Sequence, residues 1–404
     1  MAKYQRTSAK TSKKSSPVGL TLDQLVLEGA KRLVVEALEN EISECVGRQR
    51  YERQSDQTNK MYRNGYGKER HLTVGCGTFP LRVPRLREPF ESQIVKRYQR
   101  CSDQIGDLFP QLYLHGLATG DFEPCFAAVL GEHAPLSPAS IARMKASWKD
   151  EYERWKKRSL DADYLYVWVD GVYPKAGPKD EDMAVLVVLG VTRKGRKELL
   201  ALEEGYRESY ESWRDVFRHL KKRGVRWIGL VTADGLPGVW RALRDVFPHT
   251  RRQRCWVHKM RNILDKVPTK AHDEVRQALR EMYNARSKTE AIALKKAFIQ
   301  RYRTRYPKAV KSLGEAGDLL FTYLDFPKPH RRSLKTTNPI ESLFAVVKLR
   351  TDAARRIPKR ESALYFVFQL LTNQQQKLKR IRGYKLITQT IDHMKEKSKK
   401  RKVA

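Results

Sequence analysis

The segment that most constrains the fold is an apolar run that ends in an Asp-Gly pair. Residues 164–169 read YLYVWV, and Asp170 and Gly171 follow them. Such a run predicts a strand buried on at least one face, with the Asp170 carboxylate at the edge of a sheet. Two interpretations of Asp170 remain open at this point. It is a metal-binding acid held on a rigid element, or it begins an Asp-Gly hairpin turn.

The same pattern recurs downstream, because the apolar strand predicted at 227–232 is followed by Ala233-Asp234-Gly235. The predicted order is β-β-β-α-β-α-β, which resembles the ribonuclease-H-like fold, where the first and fourth strands are neighbours. Asp170 and Asp234 would then be adjacent, and two adjacent carboxylates stay ionised together only with a cation between them. The other elements predicted here are strands at 184–192, 198–205 and 254–257 and helices at 211–223 and 236–247.

The charge balance points to a polyanionic partner. Lys and Arg total 81 against 46 acidic residues, for a formal net charge of +35. A surplus of this size is self-repelling in a compact fold, and double-stranded DNA is the partner that best explains it. No apolar run reaches membrane-spanning length, and the five cysteines are spaced singly. We therefore expect a soluble protein of the reducing cytoplasm, without a membrane partner.

The N-terminal part is predicted to be mainly helical and to bind DNA. A helix opens at Thr21 and forms either a core helix or a dimer seam. Strands at 70–74 and 79–83 form a hairpin, and Arg82 and Arg85 extend it as a basic ridge.

Three further helices follow, at 103–114, at 119–130 and from Ser137 to about residue 157, in an arrangement like a helix-turn-helix. On the last helix Arg143, Lys145 and Lys149 would meet DNA, and Ile141, Met144 and Trp148 would pack inward. A solvated basic helix face is the competing explanation of the same spacing.

A helical run at 269–325 separates the predicted sheet from a further helix that begins near Asn338. Asn338 suits an N-cap, Pro339 suits the first helical position, and Glu341 lies in the first turn. The helix dipole alone explains an acid there, so spacing does not single out Glu341.

Several segments, taken in order, resemble the Mutator-type transposases of bacterial insertion sequences over about residues 20–385. Ser342-Leu343-Phe344-Ala345 departs from the second acid and Arg-rich run common in that family. The matching segments are YLHGLATGDFEPCFAAVLGE from Tyr113, LSPASIARMK from Leu136, DGVY from Asp170, ELLALEEGYRESYESW up to Trp213, ADG up to Gly235, FPHTRRQRCWVHKMRN from Phe247 and TTNPIESLFAVVKLRT from Thr336.

The resemblance implies an Asp-Asp-Glu recombinase in which Asp170, Asp234 and Glu341 hold two Mg²⁺ ions, with Mn²⁺ able to substitute. Asp170 would bridge the ions. The resemblance also implies a Cys-x-x-His signature at Cys255 and His258. We interpret this pair as a buried support of the metal site. The alternative is that His258 contacts the phosphate directly.

The implied function is binding of terminal inverted repeats, followed by strand cleavage and strand transfer, by what we expect to be a homodimer. Lys348 and Arg350 would supply DNA contacts after the catalytic Glu. The alternative is an inactive DNA-binding protein derived from a transposase.

The implied fold is an α/β catalytic core with an all-α insertion domain and a mainly helical N-terminal DNA-binding region. The predicted layout is a basic arm at 1–20, a helix and hairpin at 21–101, a helix-turn-helix-like region at 102–158, the first part of the core at 159–264, the insertion at 265–330, the final part of the core at 331–390 and a basic tail at 391–404.

Overall fold

The computed structural model of the chain describes residues 20–49, 61–117, 122–131, 133, 138–176, 183–353, 357 and 359–403. The chain forms two compact units, Met1–Met144 and Lys145–Ala404. Residues 1–19 of the predicted basic arm at 1–20 lie outside the described residues, and so does the predicted N-cap Ser137. Within the described part of the chain, no helix is long and apolar enough to cross a membrane.

Unit 1 is built from helices around small antiparallel strand pairs. β1 pairs with β4, and β2 pairs with β3. In chain order its elements are α1 Leu22–Val46, β1 Arg63–Tyr66, β2 Arg70–Val74, β3 Gly77–Leu81, β4 Pro84–Leu86, α2 Asp103–Leu114, α3 Phe122–Leu130 and the start of α4 Pro138–Lys157.

Helix α1 begins where the sequence predicts, because Thr21 and Gln24 form a reciprocal capping box. The C-terminal half of α1 is a core helix, with Leu38 packed among side chains of the β2–β3 hairpin. The N-terminal half leaves large apolar side chains exposed, among them Leu22 and Leu33. The core-helix interpretation is therefore confirmed for one half of α1, and the dimer seam stays a prediction for the other.

The hairpin is confirmed, but its second strand lies earlier than the predicted 79–83. Val74 pairs directly with Gly77, so the turn is only Gly75-Cys76. Gly77 has a φ of 135°, a conformation that glycine adopts readily, so the second strand can begin directly after Cys76.

Unit 2 contains a five-stranded sheet in the order β7-β6-β5-β8-β9. β6 is antiparallel to both β5 and β7, whereas β8 is parallel to β5 and to β9. The predicted order β-β-β-α-β-α-β is confirmed. The elements are β5 Asp163–Val172, β6 Met183–Val191, β7 Lys197–Tyr206, α5 Tyr210–Lys222, β8 Trp227–Ala233, α6 Pro237–Val246, β9 Arg251–Arg254, α7 Trp256–Leu264, α8 His272–Asn284, α9 Lys288–Tyr302, α10 Pro307–Ala316, α11 Lys328–Leu334, α12 Asn338–Ala353, α13 Arg360–Gln375 and α14 Ile387–Val403.

Two strand predictions are wrong in detail. β5 does not end at Asp170, because Asp170 pairs with Val187 and the strand runs on to Val172. The Asp-Gly hairpin turn is thereby excluded for Asp170. The short strand predicted at 254–257 is β9, at Arg251–Arg254, because Cys255 is already the N-cap of α7.

The two faces of the sheet are covered by different helices, as the period of two along β5 requires. Val167 and Val169 pack in a buried cluster with α5 and α6. Tyr166 and Trp168 point the other way: the Tyr166 hydroxyl lies 2.7 Å from His330 Nδ1, and the Trp168 indole donates to the Ser333 carbonyl at 3.2 Å. The α11–α12 segment therefore lies on the face of β5 that carries Tyr166 and Trp168.

The predicted helical run at 269–325 consists of α8, α9 and α10 with short 3-10 turns. The residues from 391, predicted to be a basic tail, instead continue helix α14 to Val403. Lys395 of this helix donates to Asp163 Oδ1 at 2.6 Å, which anchors α14 beside β5.

The α5 face of the sheet gives a stability prediction. Phe217 is fully buried between Trp213 and Phe247, so Phe217→Ala should lower the free energy of unfolding by about 3–5 kcal/mol. All 7 tryptophans lie at or after residue 148, so urea unfolding followed by tryptophan fluorescence reports on unit 2. The exposed neighbour gives the control: Arg218→Ala should stay within about 0.5 kcal/mol of the parent. Equal effects of the two variants would contradict this packing.

Candidate active site

Four strands of the sheet run in the same direction, so their C-terminal ends share one edge. β6 is antiparallel to β5 and β7, and β8 and β9 are parallel to β5. Asp170 lies near the end of β5. Asp234 and Cys255 directly follow β8 and β9, and Glu208 follows β7 after one intervening residue. In open sheets of this kind, ligands bind outside the carboxyl ends of the strands.

Asp170 is held on the face of the sheet that α11 and α12 cover. It follows Tyr166 and Trp168 at intervals of two residues, so its side chain continues their row. Pairing between β5 and β8 stops at Trp168 and Thr232, which leaves Asp170 beyond the last parallel pair. Its Oδ1 accepts a hydrogen bond from the Gly171 amide at 2.9 Å.

Asp234 follows the adjacent strand as predicted. Its Oδ1 accepts from the Leu236 amide at 3.0 Å, which ties the carboxylate to the turn that enters α6. The Thr232 hydroxyl donates to the Leu334 carbonyl at 3.2 Å, so the end of α11 is fixed against the same strand end.

Glu341 reaches this edge because the residues before α12 are anchored to the start of α7. The Trp256 amide donates to the Lys335 carbonyl at 3.0 Å, and the Thr337 hydroxyl donates to Cys255 Sγ at 3.2 Å. The Thr337 carbonyl accepts from the Glu341 amide at 3.0 Å. Asn338 was predicted as the N-cap, but it is the first residue of the helix, and Thr337 precedes it.

Cys255, His258 and Glu341 form one group. Their potential ligand atoms lie within 4.8 Å of one another, and His258 Nδ1 is 3.7 Å from Glu341 Oε1. The Thr337 hydroxyl hydrogen-bonds to the Glu341 carboxylate as well as to Cys255. The Thr337 hydroxyl has a single proton, so it donates to only one of the two acceptors at a time. His258 is a second donor within the group.

The charge states within this group reinforce one another. Burial opposes ionisation of the Cys255 thiol, but hydrogen bonds from His258 and Thr337 outweigh it and lower its pKa. The hydrogen bond to Cys255 raises the pKa of His258 to about 9 against the effect of burial, with Glu341 and Asp170 adding to the rise. His258 is therefore a cation at neutral pH beside the carboxylates.

The structure adds an acid that the sequence did not single out. Burial, followed by the charges of Glu208 and Asp234, raises the pKa of Asp170 to about 7. Burial and Asp234 likewise raise the pKa of Glu208 to about 7, against hydrogen bonding from Tyr173 and the charge of His258. Strand direction was the available signal for Glu208, because β7 must end at the same edge as β5.

The four carboxylates share one arrangement. One oxygen of each accepts a hydrogen bond from the chain, and the other oxygen accepts none from the residues that the structure describes. Carboxylate oxygens are the ligands that Mg²⁺ and Mn²⁺ prefer. The donor set therefore fits a divalent cation.

Most of the predicted DNA-contacting residues are exposed. Arg143, Lys145 and Lys149 are exposed on α4, and Trp148 is buried near Phe366 as expected, while the side chain of Ile141 lies outside the described part. On the hairpin ridge, Arg82 pairs with Glu69 at 3.1 Å and Arg85 is exposed. On α12, Lys348 is exposed and Arg350 is half-buried.

The raised pKa of Asp170 gives a pH-dependent prediction. A carboxyl whose pKa is higher folded than unfolded stabilises the fold at low pH, and this contribution is lost as pH rises toward the folded value of about 7. Without divalent cations, Asp170→Asn should therefore have a higher Tm than the parent, and the difference should grow from about pH 4 to about pH 7 and level off above it. Thermal unfolding in a chelating buffer measures it, with Asp265→Asn, an exposed acid after α7, as the control. A pH-independent difference would contradict the shared charge.

Comparison with known proteins identifies the family. The transposase for insertion sequence element IS6120 of Mycolicibacterium smegmatis is 42% identical over 66% of this chain and 83% of its own length. The transposase for insertion sequence element ISRM5 of Rhizobium meliloti is 32% identical over 87% of each chain. A solved Drosophila P element transposase strand transfer complex aligns at 12% identity with a TM-score of 0.23, over 71% of this chain and 91% of that one; this alignment supports no statement about the fold.

The family described as "Transposase, Mutator family" matches residues 1–380. The match spans nearly the whole chain, and it includes every residue of the candidate site. The chain belongs to the Mutator family of transposases.

Proposed function

We propose that this transposase cuts and joins DNA at the sheet edge that carries Asp170, Asp234 and Glu341, with Mg²⁺ as its cofactor and Mn²⁺ as a substitute. The observation that carries the proposal is the convergence of carboxylates, each with one anchored and one open oxygen, at the common end of parallel strands. The strand order is also that of a ribonuclease-H-like sheet, which is the fold we propose for this core.

The proposed reaction has two displacements at phosphorus. In the first, a water oxygen bonds to a phosphorus at the end of the element, the bond to the 3′ oxygen breaks, and that oxygen leaves as a 3′-hydroxyl with the proton that the water gives up. In the second, the oxygen of this 3′-hydroxyl bonds to a target phosphorus, the target's bond to its own 3′ oxygen breaks, and that oxygen leaves as a 3′-hydroxyl with the proton of the attacking group. The number of phosphodiester bonds is unchanged in the second step, so joining needs no nucleotide cofactor.

Bound divalent cations would activate the attacking oxygen and stabilise the leaving one. Asp170, Asp234 and Glu341 would hold them, because each has a carboxylate oxygen that accepts no hydrogen bond from a described residue. The chain's own contribution is to fix these oxygens before DNA arrives. Gly171 and Leu236 orient the two aspartates through their amides, and Thr337 orients Glu341 through its hydroxyl.

Cys255 and His258 act as positioning residues in this proposal. Cys255 is fully buried and holds Thr337, which in turn holds the first turn of α12. The protonated His258 lies between the sheet acids and Glu341, so it offsets their repulsion before a cation binds. These contacts favour the supporting role over a direct phosphate contact.

The substrates we propose are double-stranded DNA ends with terminal inverted repeats and a DNA target, bound by a homodimer in the bacterial nucleoid. The net charge of +35 supports a DNA partner. Relatives named as transposases for insertion sequence elements support the choice of DNA ends.

The catalytic proposal predicts the effect of removing each acid. Asp170→Asn, Asp234→Asn and Glu341→Gln should each lower Mg²⁺-dependent cleavage of DNA carrying the element's ends by at least about 10²-fold, because each removes a preorganised charge at the reacting phosphate. The three variants should retain DNA affinity in gel-shift titrations.

Asp265→Asn, which neutralises an exposed acid next to α7, is the matched control and should cleave at the parental rate. Wild-type cleavage by all three triad variants would overturn the assignment. Absence of cleavage by the parent on its own DNA ends, with binding intact, would favour an inactive DNA-binding descendant of a transposase.

The α4 basic face predicts a change in salt dependence. Lys145 and Lys149 are both exposed, and each phosphate contact contributes about −0.9 to the slope of log affinity against log salt. The double variant Lys145→Ala/Lys149→Ala should therefore make the slope shallower by about 2. Lys221→Ala/Lys222→Ala, an exposed basic pair on α5, should leave the slope unchanged. Equal slopes for all proteins would exclude α4 from the DNA interface.

A further inference from the structure

We infer that Glu208 contributes a fourth carboxylate to the cation site of the proposed active centre. This inference rests on the proposed function and assigns a further residue to the same site. Glu208 lies in the turn between β7 and α5, at the sheet edge that carries Asp170 and Asp234. Its Oε1 accepts from the Tyr173 hydroxyl at 3.0 Å, and its other oxygen accepts no hydrogen bond from a described residue.

Gly171 makes room for the Glu208 carboxyl group. A Cβ atom at position 171 would lie 2.5 Å from Glu208 Oε1 and 2.7 Å from its Cδ. Any side chain at this position would therefore push Glu208 away from the edge. Gly171, which follows Asp170 in the chain, therefore leaves space for the Glu208 carboxylate.

The turn that carries Glu208 is itself tightly constrained. Arg207 has a φ of 52°, a left-handed conformation that residues other than glycine seldom adopt. On the far side, a Cβ at Gly238 would lie 2.9 Å from the Tyr210 amide nitrogen and 3.2 Å from the Glu208 carbonyl. Uncommon backbone conformations of this kind cluster at functional sites.

The surroundings of Glu208 do not explain it as a structural residue. No Lys or Arg forms a salt bridge with it among the described residues, although the chain carries 81 such side chains. Its one hydrogen-bond donor, Tyr173, is half exposed. In its ionised form, Glu208 adds a like charge beside Asp170 and Asp234, which a bound cation would offset.

Cation binding and DNA cleavage together test the inference. Mn²⁺ binding to the full-length protein is titrated by electron paramagnetic resonance of the free ion. Glu208→Gln, which retains an acceptor for Tyr173, should weaken Mn²⁺ binding by about 10-fold or more. Glu208→Asp retains the charge on a shorter side chain and should lie between Glu208→Gln and the parent.

Glu211→Gln is the matched control, because Glu211 is an exposed acid in the first turn of α5; it should bind Mn²⁺ as the parent does. Cleavage by Glu208→Gln should be partly restored by raising the Mn²⁺ concentration, which a merely structural defect would not allow.

The outcomes separate this inference from the proposed function. If Glu208→Gln and Glu208→Asp bind Mn²⁺ with parental affinity while Asp170→Asn does not, Glu208 is not part of the cation site and the proposed function stands. If the parent neither binds Mn²⁺ nor cleaves DNA, the proposed function fails, and the inference fails with it. If Glu208→Gln does not fold, Glu208→Asp provides the test. The inference would be overturned if Glu208→Asp bound Mn²⁺ with parental affinity and its cleavage depended on Mn²⁺ concentration as that of the parent does.

Discussion

The site depends on keeping like-charged carboxylates close together while the protein is empty. Strand direction brings Asp170, Glu208 and Asp234 to one edge. Burial, followed by their mutual repulsion, raises the pKa of Asp170 and of Glu208 to about 7. The fold tolerates this arrangement because each carboxylate has one oxygen anchored by the chain and because His258 supplies a positive charge nearby. A preorganised site of this kind is destabilising in itself and is supported by the packed sheet behind it.

The packed sheet is supplied by residues that play no part in the chemistry. All nine residues of β6 are buried, because helices cover both faces of the sheet and strands flank β6 on both sides. The alternation along β5 then decides which side chains meet which helices. Val169 packs toward α5 and α6, and Trp168 packs toward α11. Asp170 faces α12 for the same reason, so the position of the first acid follows from the period of the strand.

The features that follow from local patterns were predictable from the sequence. The strands that carry Asp170 and Asp234 and the helix that begins after Thr21 were predicted because periodicity and capping act over a few residues. Glu341 could be selected only by likeness to a family. Its place in the site is set by contacts between Thr337 and Cys255, which are far apart in the chain. No local pattern encodes such a contact.

Three differences between expectation and structure have physical causes. The residues after Arg254 were predicted to continue a strand because Trp256 and Val257 favour strands locally, but Cys255 caps a helix that docks against Lys335 and Thr337. Glu208 was not selected because its role depends on the direction of β7, which only pairing with β6 determines. The basic residues of α14 are helical because the helix is anchored through Lys395 to Asp163.

Glu341 lies far from the sheet strands along the chain, and this affects the order in which the site is assembled during synthesis. Every strand of the sheet has been synthesised once Arg254 has emerged, whereas α12 follows only after the whole helical segment from α8 to α11. A growing chain on the ribosome can therefore assemble the sheet, its two aspartates and Glu208 before it possesses the last triad acid. Under the proposed function, a newly made transposase becomes able to cut DNA only after α12 has been synthesised.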